Sequence, residues 1–150
     1  MKKTTPKNHI CFIDNILQTI MKKLLILVLL CTLSFAAKAQ RLMNGSRSTV
    51  GYIENGRVMN SSRSTLGYIE DGRILNSSRS TIGYLENGRV MNSSRTTIGY
   101  IEDNRVMNGS RSTIGYIEDG RVMNDSRTTI GYYESLKGSY AALFFFFFFD

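Results

Sequence analysis

Between Gln40 and Asp150 the chain contains neither cysteine nor histidine; Cys11, Cys31 and His9 all come earlier, and tryptophan occurs nowhere. These absences remove disulfide bonds from this stretch. They also remove zinc cages of the usual Cys/His kind and the Ser–His and Cys–His nucleophile pairs. One-sided charge is missing as well. The formal net charge is +7 over 150 residues, yet from Gln40 onward thirteen Lys and Arg face eleven Asp and Glu, a net of +2. The excess lies on Lys2, Lys3, Lys7, Lys22, Lys23 and Lys38. A nearly neutral domain lacks the cationic footprint of a nucleic-acid binder, so no nucleic-acid partner is expected. Neither apolar run, Leu24–Phe35 or Phe144–Phe149, reaches the roughly 20 residues of a membrane-spanning helix.

The early residues have the layout of a secretory signal peptide. Lys22-Lys23 is the cationic start, Leu24–Phe35 the apolar run, and Ala37-Lys38-Ala39 a small-x-small cleavage site. The expectation is an upstream extension over residues 1–20, a signal peptide over 21–39, and a single exported domain over 40–150, periplasmic or extracellular. Cys31 follows Leu29-Leu30, whereas a lipid-attachment cysteine follows a small residue, which argues against lipidation. The 111 residues left (150 less 39) suffice for one small domain.

That domain is one sixteen-residue phrase written six times without insertion. The unit R-V-M-N-S-S-R-S-T-I-G-Y-I-E-D-G begins at Arg41, Arg57, Arg73, Arg89, Arg105 and Arg121. An unbroken period implies a fold made by stacking or ringing small units, with no chemically unique residue. Each boundary carries a hairpin turn: Asn55-Gly56, Asp71-Gly72, Asn87-Gly88 and Asp119-Gly120, with Asp103-Asn104 as the variant. Both central positions of a type I′ turn need positive φ, which Asn, Asp and Gly tolerate. Six repeats therefore give five complete hairpins. A two-residue loop at 71–72 sets Glu70 opposite Arg73, Ile69 opposite Ile74, Tyr68 opposite Leu75 and Gly67 opposite Asn76. Alternation then puts Leu66, Tyr68, Glu70, Arg73 and Leu75 on one face, and Thr65, Gly67, Ile69, Ile74 and Asn76 on the other. Gly67 and its copies leave room for another backbone or a Tyr ring. The Asn60-Ser61-Ser62-Arg63 segment and its copies read as connecting loops. Nothing after the leader carries a helix signal.

The fold class is thus all-β. Its Asn-Gly hairpins, its G-Y-I-E-[DN]-G-R-V-M-N phrase and its phenylalanine-rich end, spread over Gln40 to Asp150, make the chain resemble the secreted bacterial repeat proteins called five-fold β-flower proteins. The resemblance implies short antiparallel hairpins set radially like petals, in a family without an established biochemical role, and it carries over no functional residues. Five hairpins suit a five-fold figure; pairing of Arg41–Asn44 with Tyr132–Ser135 would close a sixth petal. A flattened β-solenoid, with Thr49, Thr65, Thr81, Thr97, Thr113 and Thr129 in a ladder, is the alternative fold, and the hairpin turns argue against it.

The tail, Ala141-Ala142-Leu143 and then Phe144–Phe149, is the second distinctive feature. Burying a Phe side chain fully is worth about 1.5–3 kcal/mol, so six set a ceiling of roughly 9–18 kcal/mol. A segment with that driving force is expected to be a buried strand that plugs or clasps the flower, with Asp150 at a wet end. Membrane contact through Phe144–Phe149, or docking into a partner, is the less favoured alternative.

The chemistry is sparse. Paired carboxylates can hydrolyse glycosides, but each repeat Glu faces an Arg beside a turn, and a cross-strand ion pair accounts for it. No catalytic, cofactor-binding or metal-binding residues are assigned, and no cofactor is expected. Arg47, Arg63, Arg79, Arg95, Arg111 and Arg127 form a candidate ring for anionic glycan or phosphate. The Tyr52 to Tyr132 series reads as core. The functional expectation is a non-enzymatic secreted or envelope structural or interaction module, its partner unknown, an envelope protein or glycan. A glycan- or anion-binding module built on ringed Arg and Tyr is the alternative.

Overall fold

The computed structural model describes residues 16–25 and 40–149. The chain divides into two compact units, Met1–Ala37 and Lys38–Asp150. In the first, residues 16–25 form a helix (α1) whose Ile16, Leu17, Ile20, Met21, Leu24 and Leu25 are exposed. Most of the signal-like run, its Ala37-Lys38-Ala39 site and Asp150 lie outside the described residues.

In the second unit, strands of four and six residues alternate. They are β1 (Arg41–Asn44), β2 (Thr49–Glu54), β3 (Arg57–Asn60), β4 (Thr65–Glu70), β5 (Arg73–Asn76) and β6 (Thr81–Glu86). The series continues through β7 (Arg89–Asn92), β8 (Thr97–Glu102), β9 (Arg105–Asn108), β10 (Thr113–Glu118), β11 (Arg121–Asn124) and β12 (Thr129–Glu134). The hairpins form as the turn residues require. Asp71 and Gly72 take φ of 48° and 77°, and the variant pair Asp103-Asn104 takes 48° and 64°. The register follows, with Glu70 opposite Arg73, Ile69 opposite Ile74, Tyr68 opposite Leu75 and Gly67 opposite Asn76.

Neighbouring hairpins also pair with one another, so the twelve strands close into a barrel with β1 against β12. Arg41 lies opposite Glu134, Leu42 opposite Tyr133, Met43 opposite Tyr132 and Asn44 opposite Gly131. This is the hairpin register with the turn missing, so the two ends of the repeat array build the sixth hairpin. Gln40 stands in for the absent turn glycine: its carbonyl accepts from the Ile53 amide at 3.1 Å, as Gly56 accepts from Ile69 at 2.7 Å. Coils of a solenoid do not pair this way, and that alternative falls. Strands of four and six residues are shorter than the about 9–11 that cross a bilayer.

The connections between hairpins are built on Asn. The Oδ1 of Asn60 accepts from the Ser62 and Ser64 amides at 3.0 and 2.9 Å, while the Arg63 amide donates to the Asn60 carbonyl at 3.0 Å. Arg63 is thereby held at a φ of 62°, and the copies Arg47, Arg79, Arg95, Arg111 and Arg127 lie between 59° and 63°. Each connection also shifts the register: Val58 pairs with Gly67 but Met59 with Thr65. This bulge corrects the face assignment of Leu66, which packs against the central core instead of lying outside with Tyr68.

The central core holds Leu42, Val58, Ile74, Val90, Val106 and Val122, all fully buried, with Ile53, Ile69 and Ile117. Twelve strands enclose a lumen too wide for wall side chains to fill, since about eight is the number at which they suffice. The tail fills the remainder. It is not the expected strand: Gly138–Leu143 is an α-helix (α2) and Phe144–Phe148 continues it as a π-helix. The physical reason is twofold. A closed barrel offers no free strand edge, so a segment inside must satisfy its own backbone. A strand would also aim alternate side chains in only two directions, whereas a helix spreads them around its axis. Gly138 admits α2 between the wall side chains, since a Cβ there would come within 2.6 Å of Ile117.

The six rings reach the six repeat glycines singly. Phe144 stands over Gly51, Phe149 over Gly67, Phe148 over Gly83, Phe147 over Gly99, Phe146 over Gly115 and Phe145 over Gly131. A Cβ at Gly99 would sit 2.5 Å from Phe147, and one at Gly131 2.6 Å from Phe145. The cross-strand carbonyl is close too: Met59 O would lie 2.6 Å from a Cβ on Gly51. The expected close backbone is therefore present, but the ring is Phe and not Tyr. Only Phe144 is buried; the other five are half-buried, so the burial ceiling is not reached.

Candidate functional site

Tyr, Glu and Arg of each repeat gather on the outer wall, on the strand face opposite the core. The Tyr series corrects the sequence reading: Tyr52, Tyr68, Tyr84, Tyr100, Tyr116 and Tyr132 are half-buried on the outside. Every one carries a guanidinium on its ring. Arg63 lies over Tyr52 at 4.3 Å from the centroid, Arg79 over Tyr68 at 4.1 Å, Arg95 over Tyr84 at 4.2 Å and Arg111 over Tyr100 at 4.0 Å. Arg127 over Tyr116 and Arg47 over Tyr132 complete the set at 4.1 Å each. The last pair bridges the two ends of the array, so the outer ring closes as the barrel does.

Stacking on Tyr steers each Arg toward the Glu two residues further along the same strand face. Arg63 reaches Glu54 at 3.2 Å, Arg79 reaches Glu70 at 3.3 Å, Arg95 reaches Glu86 at 3.1 Å, Arg111 reaches Glu102 at 3.3 Å and Arg127 approaches Glu118 to 3.9 Å. The expected pairing of each Glu with the Arg across its turn is therefore replaced, because the stacked Arg takes the carboxylate. The exception is the seam. There Glu134 receives Arg41, its cross-strand partner, at 2.8 Å from Nη2 and 3.3 Å from Nε. That hydrogen bond first, and then the carboxylate charge, raise the Arg41 guanidinium above its ordinary pKa.

All six residues of the candidate Arg ring are thus brought to equivalent places on the wall, each at positive φ and each on a Tyr ring. The structure adds a second series. A groove of about 370 Å³ between neighbouring repeats is lined by Glu86, Asn87, Arg89, Tyr100, Glu102 and Arg111. Its counterpart two repeats on, of about 250 Å³, includes Arg47, Asp119, Arg121, Tyr132 and Glu134. Arg89 and Arg121 form no ion pair among the described residues. The sequence pattern hides this second Arg series because it assigns those side chains to Glu. The signal that identifies them is the pairing of Arg89 with Tyr100 across the connection, which depends on a bulge that no residue pattern announces.

Residues 39–149 match the family model described as "5-fold beta-flower protein". No curated protein and no solved structure matches the chain.

Proposed function

The chain belongs to the 5-fold β-flower protein family, and from that premise we propose that it is a non-enzymatic, exported structural or interaction module of the cell envelope. The observation that supports this reading is the distribution of chemistry. One Tyr–Arg stack recurs on all six faces, with the repeat Glu paired to the stacked Arg on five of them, and the lumen is occupied by the chain's own tail. Repetition of this kind builds extended surface in place of one differentiated pocket. Export is tested by expressing the full chain in a bacterial host and weighing the product of the exported fraction. The expected mass is that of a chain starting at Gln40. A cytosolic product retaining Met1 or Met21 counts against export.

The grooves favour a second reading, a module for anionic glycans. Arg89 offers a guanidinium fork with no ion pair among the described residues, beside Tyr100 and the Arg111 stacked on it, suited to a uronic-acid carboxylate. Five copies around the ring would let weak sites act together. Calorimetric titration with oligo-uronates of increasing length tests it. Affinity should grow with length and vanish when Arg57, Arg73, Arg89, Arg105 and Arg121 are all replaced by Gln. Absence of heat at millimolar oligomer would leave the structural reading alone.

A further inference from the structure

We propose that the run Phe144–Phe149 is a counting device that sets the ring at six hairpins, one phenylalanine per repeat. The family is described as five-fold, while this chain closes twelve strands, so something in the sequence must hold the ring at its size. Hairpin geometry alone does not, because every repeat makes the same contacts with its neighbours and a five- or seven-membered array would satisfy the same turns and bulges. The tail differs from the wall in being countable.

The registry of rings on glycines is one to one. Starting from Phe144 over Gly51, the rings descend through Gly131, Gly115, Gly99, Gly83 and Gly67, opposite to the order of the repeats. No repeat glycine is left without a ring, and no ring is shared. The helix type fits the same purpose. An α-helix turns by about 100° per residue, while six evenly spaced sites lie about 60° apart, so consecutive residues of an α-helix would overshoot their glycines. A π-helix, with its wider i→i+5 repeat, turns less per residue. Phe144–Phe148 adopts it where the rings meet the wall, directly after the α-helical Gly138–Leu143. The irregular backbone is thus where the angular mismatch would otherwise fall. One ring too many would face a wall with no free notch. One too few would leave a glycine-floored gap in the lumen. The composition of the run adds a useful property: deleting any one of six identical residues yields the same chain, so only the count is altered.

The test is a deletion cycle in the full chain. Removing residues 73–88 leaves five repeats with six phenylalanines, removing Phe149 leaves six repeats with five, and removing both restores equality. Each single deletion is expected to lower the melting temperature by on the order of 10–20 °C or to abolish cooperative melting. The double deletion should melt cooperatively and above the five-repeat, six-phenylalanine chain. A doubly deleted chain that melts at or below that single deletion would overturn the proposal. Point variants test the registry even if the deletion chains fail to fold. The loss caused by Gly83→Ala should shrink in a Phe148→Ala background and stay unchanged in a Phe146→Ala background; the clash with the Met91 carbonyl is common to both. Equal losses in the two backgrounds would likewise overturn it.

Discussion

A residue placed against its own backbone preference marks what the fold values at that position. Arg79, at a φ of 63°, occupies a region that glycine enters freely and that costs other residues on the order of 1 kcal/mol or more. What the side chain returns is an exposed cation–π contact of about 0.5–1 kcal/mol and an ion pair of about 0.2–1 kcal/mol. The two sides nearly balance. Arg79→Gly, which relieves the backbone and loses the stack, should therefore stay within about 1 kcal/mol of the parent in a urea titration. Arg79→Ala, which keeps the strain and loses the stack, should lie about 1 kcal/mol below the glycine variant. If alanine and glycine variants coincide, the strain argument is wrong. The hairpin turn gives a stronger contrast. At Gly72, with φ of 77° and Leu85 O already 3.0 Å from an added Cβ, valine should cost well over 1 kcal/mol. Ser62→Ala, whose amide and not its hydroxyl holds the Asn60 loop, should cost less than about 1 kcal/mol. Equal shifts of the denaturation midpoint would contradict the turn assignment.

For the elements, the decisive one is the tail helix. It supplies Ala141, Ala142, Leu143 and Phe144 to the buried core, with Phe145–Phe149 packed around them. Small domains keep only about 5–15 kcal/mol in reserve, and each lost large core side chain costs about 2–5 kcal/mol. A chain ending before residue 143 should thus unfold or aggregate at room temperature. Circular dichroism and light scattering would show it. An unchanged melting temperature would mean that the barrel stands without its plug. The same element shows the limit of sequence reading. Six consecutive phenylalanines announce burial without announcing backbone conformation, since a homopolymer has neither a period of 3.6 nor one of 2. The lumen that makes a helix necessary exists only after the barrel has closed.

At the scale of the whole molecule, five of the six hairpins are local and one is not. The seam joins residues 93 apart, Arg41 and Glu134, through an ion pair whose side chains are 41% and 45% exposed. No turn tethers it. Native-state hydrogen exchange should accordingly find the β1–β12 amides less protected than those of the turn-tethered β4–β5 hairpin, because local opening is easiest where no turn holds the two strands together. Uniform protection around the ring would refute this. The outer Tyr–Arg stacks follow the ring without regard to the seam, since Arg47 covers Tyr132 as Arg63 covers Tyr52; the Glu pairing does not, because Glu134 takes Arg41.

Repeat length, hairpin turns, register within each hairpin and the all-β class follow from the sequence alone, because Asn-Gly and Asp-Gly turns of two residues admit a single pairing. The choice between five and six petals, the helical plug, the outward placement of Tyr and the partner of each Glu were decided by tertiary structure. All four depend on contacts between different hairpins, or between the hairpins and the tail. Neighbouring hairpins meet through a bulge that shifts Thr65 relative to Gly67, and the ring's closure meets a tail whose angular spacing no local pattern encodes. Propensity acts over a few residues; ring size is a property of the closed circuit.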